Sequence, residues 1–188
     1  MRLILASKSP RRKRLLLRLG MAFEVAAPSL REPAVVHANP AELAKRRALA
    51  KAAEISLLHP SDLVLGADTV IALGKKVLGK PNSRKEARKM LERMNGRRIA
   101  AITGVALLCE SHDLAMVWAE KAVLKFGRVG ERALQNYIKS GRWKGKAGGF
   151  NIDETPARRW IKVVSGERET AVGLPGARLR DMLARVGV

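Results

Sequence analysis

Cysteine is almost missing from this chain: Cys109 stands alone among 188 residues. No disulfide can form within the chain, and a secreted disulfide scaffold is excluded. Aromatic side chains are only 4%, a thin supply of platforms for stacking the bases of a single-stranded nucleic acid. No apolar run approaches the roughly 20 residues of a membrane-spanning helix. The apolar part of the opening Met1 to Ser7 segment is also too short for a signal peptide. The expectation is a cytoplasmic protein with no membrane attachment. His37, His59 and His112 are scattered, so no zinc-like cluster forms with Cys109, which reads as a small buried hydrophobe. A G-x-S-x-G nucleophile elbow and a G-x-G-x-x-G turn are both absent. The loop from Gly141 to Gly149 is not a phosphate-binding Walker loop, because Ala147 stands where a metal-binding Ser or Thr is needed.

Acidic residues are scarce as well. There are 17 Asp and Glu against 37 Lys and Arg, a formal charge of +20. Such an excess draws polyanions, whether nucleic acid, anionic membrane or phosphorylated small molecules, without choosing among them. Arg2, Lys8, Arg11, Arg12, Lys13, Arg14 and Arg18 fall in the first 20 residues, which contain no acid. An Arg-rich, acid-free start also suits an organellar transit peptide, but Leu3 to Ala6 reads as a buried strand that joins the fold without a linker. With 47% hydrophobic and 29% charged residues, the balance is that of a globular protein. The length suits one domain over 1–188, or two lobes sharing a core.

Strand and helix signals alternate along the chain. Arg2 to Ala6 reads as a short apolar strand, and Ser9-Pro10 as the cap and first residue of a helix ending at Gly20. Phe23 to Ala26 reads as a strand. Asn39-Pro40-Ala41-Glu42 starts a helix that runs to about Ser56. Leu63 to Leu65 and Val70 to Leu73 read as two strand pieces interrupted by Gly66-Ala67-Asp68-Thr69, with a hairpin turn at Gly74-Lys75-Lys76. Ser83 and Glu86 have capping-box spacing for a helix to Met94. Two long strands, Ile99 to Cys109 and Ala115 to Phe126, precede a helix over Glu131 to Ser140. A last strand is expected at Trp160 to Val164 and a last helix at Ala177 to Val186. The long hairpin breaks a pure strand–helix alternation, so the pattern predicts α/β architecture with a mixed, twisted sheet flanked by helices.

Two places concentrate chemistry. Ser7-Lys8-Ser9-Pro10-Arg11-Arg12 sets two hydroxyls and two guanidiniums at a helix start, where unpaired backbone N–H groups and the helix dipole favour phosphate. The plainer reading is a capped helix with a charged outer face, and composition alone weighs the two evenly. Asp68, set between apolar strand pieces, could hold a hard cation or take a proton from water. It could equally be a turn Asp beside Gly66. Lys80 and Lys146 sit in Gly-containing turns where backbone approaches a ligand closely, or are surface lysines. A basic region with isolated carboxylates is the equipment of phosphoryl or nucleotidyl chemistry assisted by a divalent cation.

In order along the chain come L-A-S-K-S-P-R-R (Leu5 to Arg12), Glu32, Ala50-Lys51-Ala52, L-G-A-D-T-V (Leu65 to Val70), L-G-K-P (Leu78 to Pro81) and N-G-R (Asn95 to Arg97). T-G-V-A-L (Thr103 to Leu107), K-A-G-G-F (Lys146 to Phe150) and V-G-L-P (Val172 to Pro175) follow. The ordered set resembles the Maf family of nucleotide pyrophosphatases across nearly the whole chain. The resemblance implies two lobes around a deep cleft in an inosine triphosphatase-like fold. It also implies a homodimer and hydrolysis of nucleoside triphosphates to monophosphate and pyrophosphate with Mg²⁺, Mn²⁺ or Co²⁺. Nucleic-acid binding through the net positive charge is then not the main role, and the alternative is a basic nucleic-acid-binding or regulatory protein on the same fold with catalysis lost. Asp68 becomes the implied proton acceptor. Ser7, Arg11, Arg12, Lys51 and Lys80 become phosphate-binding residues, and Glu32 and Asp68 the metal-side carboxylates. Arg12 and Thr69 resemble the branch that prefers dTTP and UTP. The family's G-I-Q is Asn151-Ile152-Asp153 here, so Asp153 replaces a neutral amide at a position expected to bear on specificity. Arg142 and Phe150 also depart from the family's usual acid and Tyr.

Overall fold

A computed structural model describes residues 1–29 and 39–188. Its elements in order are β1 (Leu3–Ala6), α1 (Pro10–Arg18), β2 (Glu24–Ala26), α2 (Pro40–Ser56), β3 (Leu63–Leu73), β4 (Lys76–Leu78) and α3 (Arg84–Met94). These are followed by β5 (Arg98–Cys109), β6 (Leu114–Phe126), α4 (Glu131–Lys139), α5 (Ala157–Trp160), β7 (Ile161–Ser165), α6 (Arg168–Val172) and α7 (Gly176–Arg185).

Two helix starts, those of α2 and α3, follow their capping signals. Asn39 accepts from the Ala41 N–H at 2.9 Å, and Ser83 accepts from the Glu86 N–H at 3.1 Å. Each cap contributes about 1 kcal/mol. Glu86 returns its bond to the Asn82 N–H at 2.8 Å, one residue before the position a capping box uses. Ser9 occupies the cap position of α1, but its side chain makes no capping bond. Its N–H instead donates to Ser7 Oγ at 3.2 Å. The short α5 and α6 were not expected, since four or five residues hold too little periodicity to announce a helix.

The strands form one seven-stranded mixed sheet in the order β2-β1-β3-β5-β6-β7, with β4 also on β3. β1 runs parallel to β2 and β3, and the remaining pairs are antiparallel. The expectation of a mixed α/β sheet is therefore met. The larger core lies on one face, around Leu16, Leu65, Leu107, Leu124 and Phe126. On the other face α2 covers Val64, Val70 and Ile102.

One expectation is overturned. Gly66-Ala67-Asp68-Thr69 does not interrupt a strand; β3 runs unbroken from Leu63 to Leu73. Asp68 pairs in register with Gly104, and Thr69 with Thr103, so Asp68 is not a turn residue. Gly66 serves close approach rather than bending. A Cβ there would lie 2.3 Å from the Ala48 carbonyl oxygen, and one at Gly104 would lie 2.3 Å from that of Ala44. The two glycines let the backbone of α2 rest directly on β3 and β5.

The pairing of β3 also opens the cleft. On one edge β1 covers β3 only as far as Gly66, and β4 resumes at Ile71. Among the described residues no strand covers Ala67 to Val70 on that side. The chain leaves β1 there toward α1, and the turn after β4 closes from the opposite side. These two banks are the two lobes.

Candidate active site

The gap in the β3 edge opens into a cleft of about 1180 Å³. The start of α1 forms one bank, and the Gly79-Lys80 and Lys144–Ala147 turns form the other. Those two turns are tied by the Gly148 N–H, which donates to the Gly79 carbonyl at 2.9 Å. The floor is β3 itself. Successive strand residues point to opposite faces, so Asp68 turns toward α2 while Thr69 turns toward α1 and α6.

Asp68 is 5% exposed, a depth at which a lone carboxylate would lose several kcal/mol of hydration. Helix α2 supplies the counter-charge. Lys51 Nζ donates to Oδ1 at 2.5 Å, and Arg47 Nη1 lies 3.7 Å from Oδ2. Positions 47 and 51 are four apart, so they project from one face of the helix. Oδ2 is buried and accepts no hydrogen bond from the described residues. The geometry leaves one carboxylate oxygen with accepting capacity beside two cations.

Thr69, on the other face, belongs to a polar chain. Arg12 Nη2 donates to Thr69 Oγ1 at 3.3 Å, Nη1 to Ser7 Oγ at 3.2 Å, and Nε to the Gly173 carbonyl at 3.0 Å. The guanidinium is thus held between the end of β1, strand β3 and the V-G-L-P segment. Thr69 and Thr103 share a 2.9 Å contact, and Thr103 donates to the Thr170 carbonyl at 2.6 Å.

Ser7, Arg11, Arg12, Lys51, Asp68, Thr69 and Lys80 all line this one cleft. Glu32 lies outside the described residues. Asp153 does not reach the wall. Arg168 Nη2 donates to its carboxylate at 2.8 Å and to the Ile152 carbonyl at 3.1 Å, so among the described residues Arg168 answers the charge that this departure adds. The next residue, Glu154, does line the cleft and is bonded to Lys146. Burial alone would raise the Glu154 carboxyl. Hydrogen bonds from Lys146 and Asn151, with the charges of Lys146 and Arg11, outweigh it and hold the pKa below the ordinary glutamate value.

Arg47, Thr103 and Glu154 were not among the expected residues. The four-residue spacing of Arg47 from Lys51 was a usable signal. Thr103 is hidden because its partner Thr170 is distant in sequence, and Glu154 carries no local pattern.

A family model described as Maf-like protein matches residues 2–186. The chain is 42% identical to the dTTP/UTP pyrophosphatase of Symbiobacterium thermophilum over 185 residues, covering 98% of this chain and 94% of that protein. It is 37% identical to the dTTP/UTP pyrophosphatase of Pelotomaculum thermopropionicum over 185 residues, covering 98% and 96%. Among solved structures it is similar to the Staphylococcus aureus Ham1 protein, with a TM-score of 0.49 at 11% identity over 67% of this chain and 72% of that one. Matched from its second residue almost to its last, the chain belongs to the Maf family.

Proposed function

We propose that this chain is a nucleoside triphosphate pyrophosphatase that hydrolyses the α–β phosphoanhydride of dTTP and UTP, releasing the monophosphate and pyrophosphate. The observation that carries the reading is the buried Asp68, held by Lys51 on the floor of a cleft whose bank is a helix start bearing Ser7, Arg11 and Arg12. The names of the relatives supply the substrate. In this reading the triphosphate lies along the start of α1, where backbone N–H groups and the helix dipole favour phosphate oxygens. Arg11, Arg12, Lys51 and Lys80 neutralise charge that grows on the phosphates as the bond breaks. Asp68 takes the proton of the attacking water, whose oxygen bonds to the α-phosphorus. The bond from that phosphorus to the bridging oxygen breaks, and its electrons leave with pyrophosphate.

The residues fit a divalent cation shared with the substrate. Asp68 retains an oxygen that accepts no hydrogen bond from the described residues, and Mg²⁺ is commonly held by one or two carboxylates plus substrate phosphates. Asp68 would hold it, with Glu32 as the expected second carboxylate. When bound, it would add charge neutralisation at the phosphates and acidify nearby water. The same reading has the enzyme act as a cytoplasmic homodimer, one domain over 1–188. The +20 charge also invites nucleic-acid binding, but that role gives the buried Asp68–Lys51 pair no purpose.

The test is a panel of the common ribo- and deoxyribonucleoside triphosphates, each incubated with the protein and Mg²⁺, Mn²⁺ or Co²⁺, with pyrophosphate as the product measured. Turnover highest for dTTP and UTP is expected. Absence of pyrophosphate from every nucleotide refutes the proposal, and tight, salt-sensitive nucleic-acid binding without turnover favours the rival.

A further inference from the structure

Thr103 of β5 lies directly across from Thr69 of β3 and is 0% exposed. Its hydroxyl is 2.6 Å from the Thr170 carbonyl oxygen, and a carbonyl only accepts. The one proton Thr103 owns is therefore spent on α6. The 2.9 Å contact between the two threonine hydroxyls is then donated by Thr69. Thr69 in turn accepts from Arg12 Nη2 at 3.3 Å. The run from Arg12 through Thr69 and Thr103 to Thr170 has a single direction. A main-chain carbonyl fixes it at the far end, and no hydroxyl rotation can reverse that end.

We propose that Thr103 is a positioning residue that makes the Thr69 hydroxyl an acceptor-only group toward the cleft. A hydroxyl has one proton and two accepting positions. Thr69 sends the proton inward and gives one accepting position to Arg12, which leaves one acceptor for a ligand. Arg12 is itself pinned by Gly173 and Ser7, so it cannot follow a hydroxyl that turns. The nucleotide group that meets Thr69 is therefore an N–H or O–H donor. This inference rests on the nucleotide reading above. In dTTP and UTP two donors qualify, the imide N3–H of the base and a hydroxyl of the sugar. Cytosine has a lone pair at N3, which would face the lone pair of Thr69 and leave both unpaired.

The experiment compares kcat/KM for UTP, CTP and 2′,3′-dideoxy-UTP in the wild type, Thr103→Val and Thr103→Ser, with thermal melting to establish folding. Valine keeps the branched shape but cannot accept the Thr69 proton, so that hydroxyl is released to turn its proton into the cleft. We expect the preference of the wild type for UTP to fall at least about tenfold in Thr103→Val and to persist in Thr103→Ser. A collapsed UTP:CTP ratio assigns the donor to the imide. A collapsed UTP:dideoxy-UTP ratio assigns it to the sugar. A loss of activity equal for all three nucleotides, with both ratios unmoved, is mere structural support and overturns the proposal. Should Thr103→Val not fold, Thr69→Val removes the acceptor directly and must produce the same collapse, and unmoved ratios there overturn the proposal. A wild type that releases no pyrophosphate from any nucleotide sinks the pyrophosphatase reading and this inference with it. Wild-type turnover with ratios unmoved in the variants sinks this inference alone.

Discussion

Gly104→Ala is a test of how closely α2 must lie on the sheet for Asp68 to be held. Gly104 faces α2 beside Asp68. An added Cβ would sit 2.3 Å from the Ala44 carbonyl carbon and oxygen and 2.5 Å from the Lys45 nitrogen. All three atoms are backbone, so no side-chain rotation relieves the overlap. Ordinary contact begins near 3.4 Å, so α2 or β5 must move by 3.4 − 2.3 = 1.1 Å. A gap of about 1 Å forfeits a quarter to a half of each van der Waals contact, and Leu43, Ala44, Ala48, Ala52 and Ile55 all pack through that face. Overpacking of this kind costs about 1–3 kcal/mol, and backbone atoms on both sides argue for the upper end. The same shift lengthens the 2.5 Å bond from Lys51 to Asp68, and a displacement of about 1 Å at a reacting group costs about 100-fold in rate. Urea unfolding and pyrophosphate release read the two effects. Gly130→Ala is the control, since nothing lies within 4 Å of its Cβ position and about 1 kcal/mol or less is expected at a helix cap. If Gly104→Ala matches the wild type in both stability and turnover, the claim that α2 positions Lys51 by direct contact is wrong.

Two further outcomes follow from the site. Asp68→Asn keeps the size of the side chain but removes the proton acceptor and leaves Lys51 and Arg47 facing an amide. Turnover should fall by about 100- to 10,000-fold, and a folded variant with near-normal pyrophosphate release would remove Asp68 from the mechanism. Glu154 has a folded-state pKa below its ordinary 4.5, so its contribution to stability is full above that value and disappears as pH falls through the lower folded value. Because the side chain is 45% exposed, the contribution is screened to less than about 1 kcal/mol. Glu154→Gln should lower the melting temperature at neutral pH and match the wild type well below pH 4.5; a difference that persists in acid would contradict the assignment.

What could be read from the sequence was local. Asn39 and Ser83 sit beside the helices they cap, and those helices begin where their side chains can reach N–H groups two or three residues on. The serines and arginines before and in α1 are local in the same way, because the helix start whose N–H groups would favour an anion lies within a few residues of them. G-A-D-T resisted the same treatment. Glycine and aspartate one residue apart are common turn formers, and the five residues to either side carry no signal of the partner that overrides them. What makes them strand residues is the backbone of α2, more than ten residues away, filling the space that a side chain at 66 or 104 would take. The surroundings of Asp153 are hidden from the local sequence for a similar reason, since its partner Arg168 is 15 positions away.

The continuity of β3 also explains how one short motif serves two sets of partners. Had Asp68 and Thr69 been in a turn, their side chains would have splayed without a fixed relation. In a strand, adjacent residues must face opposite ways, so one peptide unit carries a carboxylate to the cations of α2 and a hydroxyl to the arginine of α1. The pairing gap between Gly66 and Ile71 then exposes both at the same opening. Moving either residue by one position would exchange their faces, placing the carboxylate against Thr103 and the hydroxyl against Lys51. The order Asp-Thr, rather than the presence of the two residue types, is what the fold requires.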